Sequence, residues 1–228
     1  MRSAHDDSPR ALGLVAVGSA VAAIALGVAA RAGMTHVVDT RAERRMPRGR
    51  GRVGHVMNAL TVLGEPVVQL PLAVALGAAL RAGAGRETRW AAAAPVIAGG
   101  LAVGVHHGVK RLYPRRRPLS ARLQGKREPS YPSGHAAVAN AVSLATYQVV
   151  ARRMRRDPTG RLLAGIAAAA LPTLVGASRM YARRHWLSDV VGGWLTGAAL
   201  AAATVAACEL LDESPRQGPP RSTMRPSL

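Results

Sequence analysis

Three short clusters of polar residues, each at the edge of an apolar stretch, carry side chains suited to chemistry. The first is Lys110-Arg111-Leu112-Tyr113-Pro114-Arg115-Arg116-Arg117-Pro118. The second is Tyr131-Pro132-Ser133-Gly134-His135, and the third runs from Ser178-Arg179 to His185 and Asp189. Lys110, Arg117 and Arg179 offer fixed cations, and guanidinium forks suit tetrahedral oxyanions because they donate two parallel hydrogen bonds. Ser133 adds a hydroxyl. Gly134 stands where a helix is expected to start, and the free backbone N–H groups and dipole of a helix N-terminus favour an anion. Together these residues suit phosphate. His135 and His185 accompany them, and Asp189 follows His185 by four residues, a spacing that shares one face of a helix. A carboxylate so placed holds an imidazole tautomer and stabilises its cation. An oriented neutral imidazole is a nucleophile, and a protonated one is a general acid.

Elements that bring three separated clusters together must be rigid, and the apolar pattern supplies them. Ala11 to Ala30 is a run of twenty residues without a charge. As a helix it would rise about 30 Å, the thickness of a bilayer's hydrocarbon core, and it is longer than the apolar region of a signal peptide. Further apolar stretches follow at Val56–Leu80, Trp90–Val109, His135–Ala151, Leu162–Met180 and Val190–Leu211. The second of these is interrupted by Glu65, Pro66, Gln69 and Pro71, so its first half is expected near the interface. All are rich in Ala, Val, Leu and Gly, whose small members allow close helix packing in lipid. The expected fold is all-α, a polytopic membrane bundle of six transmembrane helices over residues 11–211. Residues 1–10 form a short N-terminal segment and residues 212–228 a disordered tail rich in Pro, Ser and Arg. Val37–Met46 is expected as a short interfacial helix. With six helices, simple alternation puts all three polar clusters on one side of the membrane.

The 228 residues include 31 Lys plus Arg against 12 Asp plus Glu, a formal charge of +19. Such an excess suggests nucleic acid or an anionic membrane. Here the arginines are divided among connections on both sides of apolar helices, which excludes one continuous nucleic-acid face. The single Cys, Cys208, excludes an intramolecular disulfide or a Cys-rich zinc site.

The clusters fill the pattern K-x6-R-P, P-S-G-H and S-R-x5-H-x3-D, and in this they resemble the type 2 phosphatidic acid phosphatase (PAP2) superfamily. The resemblance spans roughly Asp39 to Leu211, with a weaker echo in Asp39 and in Leu60-Thr61-Val62-Leu63-Gly64. It implies that His185 attacks phosphorus and forms a phosphohistidine, and that Asp189 orients it. It further implies that His135 protonates the leaving oxygen and later activates water, while Lys110, Arg117, Ser133, Gly134 and Arg179 hold the phosphoryl oxygens. No metal or other cofactor is implied. The implied activity is hydrolysis of a lipid phosphomonoester or diphosphate by a membrane-embedded enzyme. A soluble vanadate haloperoxidase shares the anion pocket but not lipid-compatible helices, and a non-catalytic lipid-phosphate binder or transporter has no need of a nucleophile. The partners implied are the lipid phosphate and the bilayer, with no nucleic acid; the sequence does not fix the oligomeric state.

Other polar residues read more plainly. Arg111, Arg115 and Arg116 are expected at the membrane surface, Trp186 and Tyr113 as interface anchors, and Cys208 as an inert apolar residue. His106 and His107 match no motif position and are expected to serve packing or interface placement, with lining of the pocket the alternative for one of them. Glu65 is either a functional intramembrane acid or the interfacial end of the second helix. Lys and Arg are slightly more numerous on the side of the three clusters, which by the positive-inside rule would face the cytoplasm. Bacterial lipid phosphatases of the family mostly work on the outer face, so the resemblance implies an inner-membrane protein with an extracytoplasmic site.

The clusters supply cations and imidazoles rather than the carboxylates that magnesium requires. Phosphatase activity is therefore expected to survive EDTA. Activity lost to chelator and restored by magnesium would overturn that chemistry.

Overall fold

The computed structural model describes residues 8–47, 51–83 and 89–213, and among them every regular element is helical. In chain order these are α1 (Ser8–Arg31), α2 (His36–Arg45), α3 (Arg52–Leu63), α4 (Pro66–Ala82), α5 (Arg89–Leu112), α6 (Leu119–Leu123), α7 (Gly134–Arg153), α8 (Pro158–Tyr181) and α9 (Leu187–Glu213). The helices run slightly past the expected bounds of 11 and 211. Residues 1–7 of the expected N-terminal segment and 214–228 of the expected tail lie outside the described residues.

Length and apolarity suit α1, α5, α8 and α9 to crossing a membrane, and the bent pair α3–α4 makes a fifth crossing if counted as one. Their outer faces are strongly apolar. Leu14, Val17, Val21, Ile24 and Val28 of α1 and Leu162, Leu163 and Ile166 of α8 are each more than half exposed, a surface that water disfavours and lipid accepts. The interrupted second stretch is broken by 61° between α3 and α4. Pro66 stands at the first position of α4, where its missing N–H costs nothing. The break frees the carbonyl of Leu63, and buried Gln69 donates Nε2–H to it at 2.5 Å. A glutamine in an apolar stretch thus satisfies a backbone group that the bend would orphan.

The expected fourth span, α7, packs against α4, α5, α8 and α9. Ala136, Ala137, Val138, Ala139, Ala141, Val142 and Ala145 are buried. Its polar side chains are used inward, as where Asn140 Nδ2 donates to the Trp194 carbonyl at 2.6 Å. This helix does not meet the apolarity of the four long spans, because protein rather than lipid surrounds it. Contact with α9 is backbone to backbone. A Cβ at Gly197 would lie 2.5 Å from the Ala137 carbonyl oxygen, and one at Gly193 would lie 2.6 Å from that of Ser133. Glycines four residues apart on one face permit this approach.

That approach matters for function. It sets the first turn of α9 against the start of α7, where the Ser133 N–H donates to the Asp189 carbonyl at 2.9 Å. The second and third sequence clusters are thereby joined. The end of α5 brings the first cluster alongside through its packing on both α7 and α9.

Candidate active site

Six of the eight expected site residues line one cavity of about 420 Å³: Lys110, Arg117, Gly134, His135, Arg179 and His185. Ser133 and Asp189 stand behind it, both fully buried. Lys110 comes from the last turn of α5, Arg117 from the loop before α6, and Arg179 from the last turn of α8. His135 projects from the first turn of α7, and Ser133 is the residue that precedes that helix. Glycine at 134 leaves room for His106, whose Nε2 lies 2.6 Å from where a Cβ would stand, so a larger residue would force that ring to shift.

His185 is not on α9 but two residues before it, so its contact with Asp189 runs through the turn that starts the helix rather than along a helix face. Its Nδ1 lies 3.6 Å from Asp189 Oδ2, longer than a formed hydrogen bond. The same carboxylate oxygen accepts the Trp186 N–H at 2.8 Å and the Ser130 hydroxyl. On the other side of the ring, Arg117 Nη1 is 3.3 Å from His185 Nε2. A guanidinium only donates, so the network assigns the lone pair to Nε2 and the proton to Nδ1, facing Asp189. Burial pushes the His185 pKa down to about 4, although Asp189 favours the cation. The imidazole is therefore neutral near pH 7.

Arg117 is held by three carbonyls: Nε donates to Glu128 at 2.9 Å, Nη1 to Arg184 at 3.0 Å and Nη2 to Pro129 at 3.4 Å. The Glu128 carboxylate sits 3.7 Å from Lys110 Nζ and 3.8 Å from Arg117 Nη2, and it is largely exposed. Among the described residues, Arg179 Nε and Ser133 Oγ are buried without a partner. Buried donors are nearly always satisfied, and a bound oxyanion would supply what these lack.

Several side chains outside the eight expected site residues also reach the site. Glu65, at the bend between α3 and α4, places Oε1 2.9 Å from His135 Nε2. His106 and His107, expected mainly to serve packing or interface placement, both line the cavity. Arg115, expected at the membrane surface, instead lies between two buried carboxylates. Its Nη1 donates to Asp189 Oδ1 at 2.7 Å and its Nη2 to Asp39 Oδ2 at 2.5 Å. Asp39 in turn accepts the Ser188 N–H at 2.9 Å and the Ser188 hydroxyl at 2.8 Å. One cation thus ties α2, the loop before α6 and the start of α9. The weak echo at Asp39 was the only sequence signal for this arrangement.

A model of the PAP2 superfamily matches residues 89–210. No curated protein matches the chain. Among solved structures, the fold is similar to the crystal structure of a transmembrane PAP2-type phosphatidylglycerolphosphate phosphatase from Bacillus subtilis. The two share 24% sequence identity and a TM-score of 0.69, over 91% of this chain and 98% of that one. Apolar, lipid-compatible helices arranged in this fold make the chain an integral membrane protein.

Arg115→Met would leave Asp39 and Asp189 buried without their shared counter-ion. Breaking a buried ion pair in this way costs about 3–5 kcal/mol. A marked fall in the thermal denaturation midpoint in detergent is expected, and a midpoint equal to that of the parent protein would show that the clamp carries no stability.

Proposed function

The chain belongs to the PAP2 superfamily, and on that premise we propose that it is a membrane lipid phosphatase working through a phosphohistidine. The observation that carries this reading is the convergence of Lys110, Arg117 and Arg179 with a neutral, buried His185 in one cavity. The Nε2 lone pair of His185 attacks phosphorus while the bond to the lipid oxygen breaks. His135 gives its proton to that oxygen. Asp189 holds Nδ1–H and stabilises the positive charge that the ring acquires. The three cations, Ser133 and the N–H groups at Gly134 take the phosphoryl oxygens, whose charge is the main thing to be stabilised in such a transfer. His135, now neutral, takes a proton from water. The resulting hydroxide attacks phosphorus, the P–N bond breaks, and phosphate and His185 are released. No step needs a metal.

The substrate is a lipid carrying a phosphomonoester or diphosphate, whose headgroup enters the cavity while its chains stay in the bilayer. Residues 11–211 form the phosphatase domain, with six crossings if α7 and the bent pair α3–α4 each count as one. The cavity opens on the extracytoplasmic face of the inner membrane. Phosphate release by detergent-purified protein across a panel of lipid mono- and diphosphates tests the activity; no release from any of them would reject it.

The two histidines are separable. With radiolabelled substrate and acid quench, His185→Ala is expected to yield no base-stable, acid-labile phosphoprotein. His135→Ala should still yield it from an aryl phosphate, whose leaving group departs with little need of a proton. With a lipid alkoxide it should lose about 10²–10⁴-fold in rate, the usual share of general acid catalysis. Phosphoprotein from His185→Ala but not from His135→Ala would reverse the assignment.

The acid limb of kcat/KM reports the free enzyme. A nucleophile with its pKa lowered to about 4 by burial stays competent well below the usual histidine value. After allowance for the substrate's own phosphate ionisation, activity should fall only as pH drops toward 4. A limb near 6.5 would mean that His185 is not the group that must be neutral.

A further inference from the structure

A second cavity, of about 360 Å³, lies beside the catalytic one and has Arg117 and Lys126 in common with it. Arg116, Arg122, Lys126 and Arg127 line it, and among the described residues no carboxylate does. All four are exposed. None of their side chains makes an ion pair among the described residues. The other cations nearby are differently placed: Arg115 is neutralised by Asp39 and Asp189, and Arg117 is turned inward to His185 and the carbonyls around it. Four unpaired like charges around one hollow repel one another, and an anion seated there relieves the repulsion.

The neighbouring helix says which kind of anion. Within α6, Leu119 and Leu123 are 59% and 80% exposed. They are four residues apart and so share a face, while Arg122 stands beside them in the chain. This short helix follows directly on the loop that leaves the end of α5, a helix suited to crossing the membrane. Exposed leucines next to unpaired cations at such a place fit the boundary between headgroups and acyl chains. A free phosphate ion uses the cations alone, whereas a phospholipid uses both.

We infer that this cavity binds the phosphodiester headgroup of an anionic phospholipid of the surrounding bilayer, with Leu119 and Leu123 against its acyl chains. The bound lipid is not the substrate. Arg117 forms the wall between the two cavities, so the lipid sits against the residue that faces the nucleophile. The site does not depend on the hydrolysis proposed above.

Native mass spectrometry of the detergent-purified protein tests it, with phosphatidylglycerol or phosphatidylcholine added. The parent protein, and equally His185→Ala, should retain one more phosphatidylglycerol than the double variant Arg122→Gln/Arg127→Gln, and should show no such difference with phosphatidylcholine. A basic residue near a membrane surface strengthens anionic-lipid binding about fivefold, so the pair should weaken it on the order of 25-fold. The control Arg155→Gln/Arg156→Gln removes the same charge from exposed arginines between α7 and α8 and should leave retention unchanged. Leu123→Gln should also weaken retention. Equal loss in both double variants would reduce the effect to net charge and overturn the site. Displacement of the lipid by excess inorganic phosphate, with no effect of Leu123→Gln, would make it a free-phosphate site and overturn the lipid. Retention by Arg122→Gln/Arg127→Gln equal to the parent's would overturn the proposal entirely.

Discussion

One guanidinium sets the geometry on which the site rests. Arg115 donates to Asp39 and to Asp189, both almost fully buried. Two carboxylates at such depth are tolerable only with a cation between them and hydrogen bonds to their remaining oxygens. Both conditions are met, by Ser188 on one side and by Ser130 and the Trp186 N–H on the other. The result is a fixed orientation for Asp189, and through Asp189 for the turn that carries His185. No single helix could provide this, because the partners come from α2, the loop before α6 and the start of α9.

The cavity in front of that clamp poses the opposite electrostatic problem. Among the described residues no buried carboxylate pairs with Lys110, Arg117 or Arg179: the largely exposed Glu128 reaches Lys110 and Arg117, and the partly exposed Glu65 meets His135 beside them. Exposed acids interact weakly and are easily turned away. Strong compensation therefore sits behind His185 and weak compensation in front of it. A site shaped this way keeps His185 and Asp189 rigid while leaving the donors of the cavity free to meet an anion, as the proposed phosphoryl transfer requires.

Much of this was legible in the sequence, for reasons that also explain what was not. Lys110, Arg117, His135, Arg179 and His185 announce themselves by residue type and spacing, and the cavity unites them. The short helix α2 and the interruption at Glu65-Pro66 were visible as local patterns. Arg115 was read as a surface cation because its partners are far away in the chain: Asp39 lies 76 residues before it and Asp189 74 after. Nothing local distinguishes Arg115 from Arg116. The same holds for Gln69, whose purpose appears only once the bend has freed the Leu63 carbonyl. The central position of α7 was likewise hidden, since fit against Gly193 and Gly197 is a property of two helices and not of either one. The expectation that His185 and Asp189 share a helix face gave the right neighbours by the wrong route, for α9 begins only at Leu187.

The enclosure of α7 bears on how such a chain is made. A segment with Asn140, Ser143 and Gln148 among its alanines and valines gains less from lipid than α1 or α5 does. Its favourable surroundings are other helices, and α8 and α9 are synthesised after it. Until α9 emerges, the glycines that fit against α7 are missing, the Ser133 N–H has no carbonyl to meet, and Asp39 and Arg115 lack the carboxylate and serine that complete their network. The reactive pocket is thus a late product of biogenesis, closed by the last helix described. A nascent chain stalled before Leu187 would carry the loop cations and both imidazoles, but neither Asp189 nor the helix that closes the pocket.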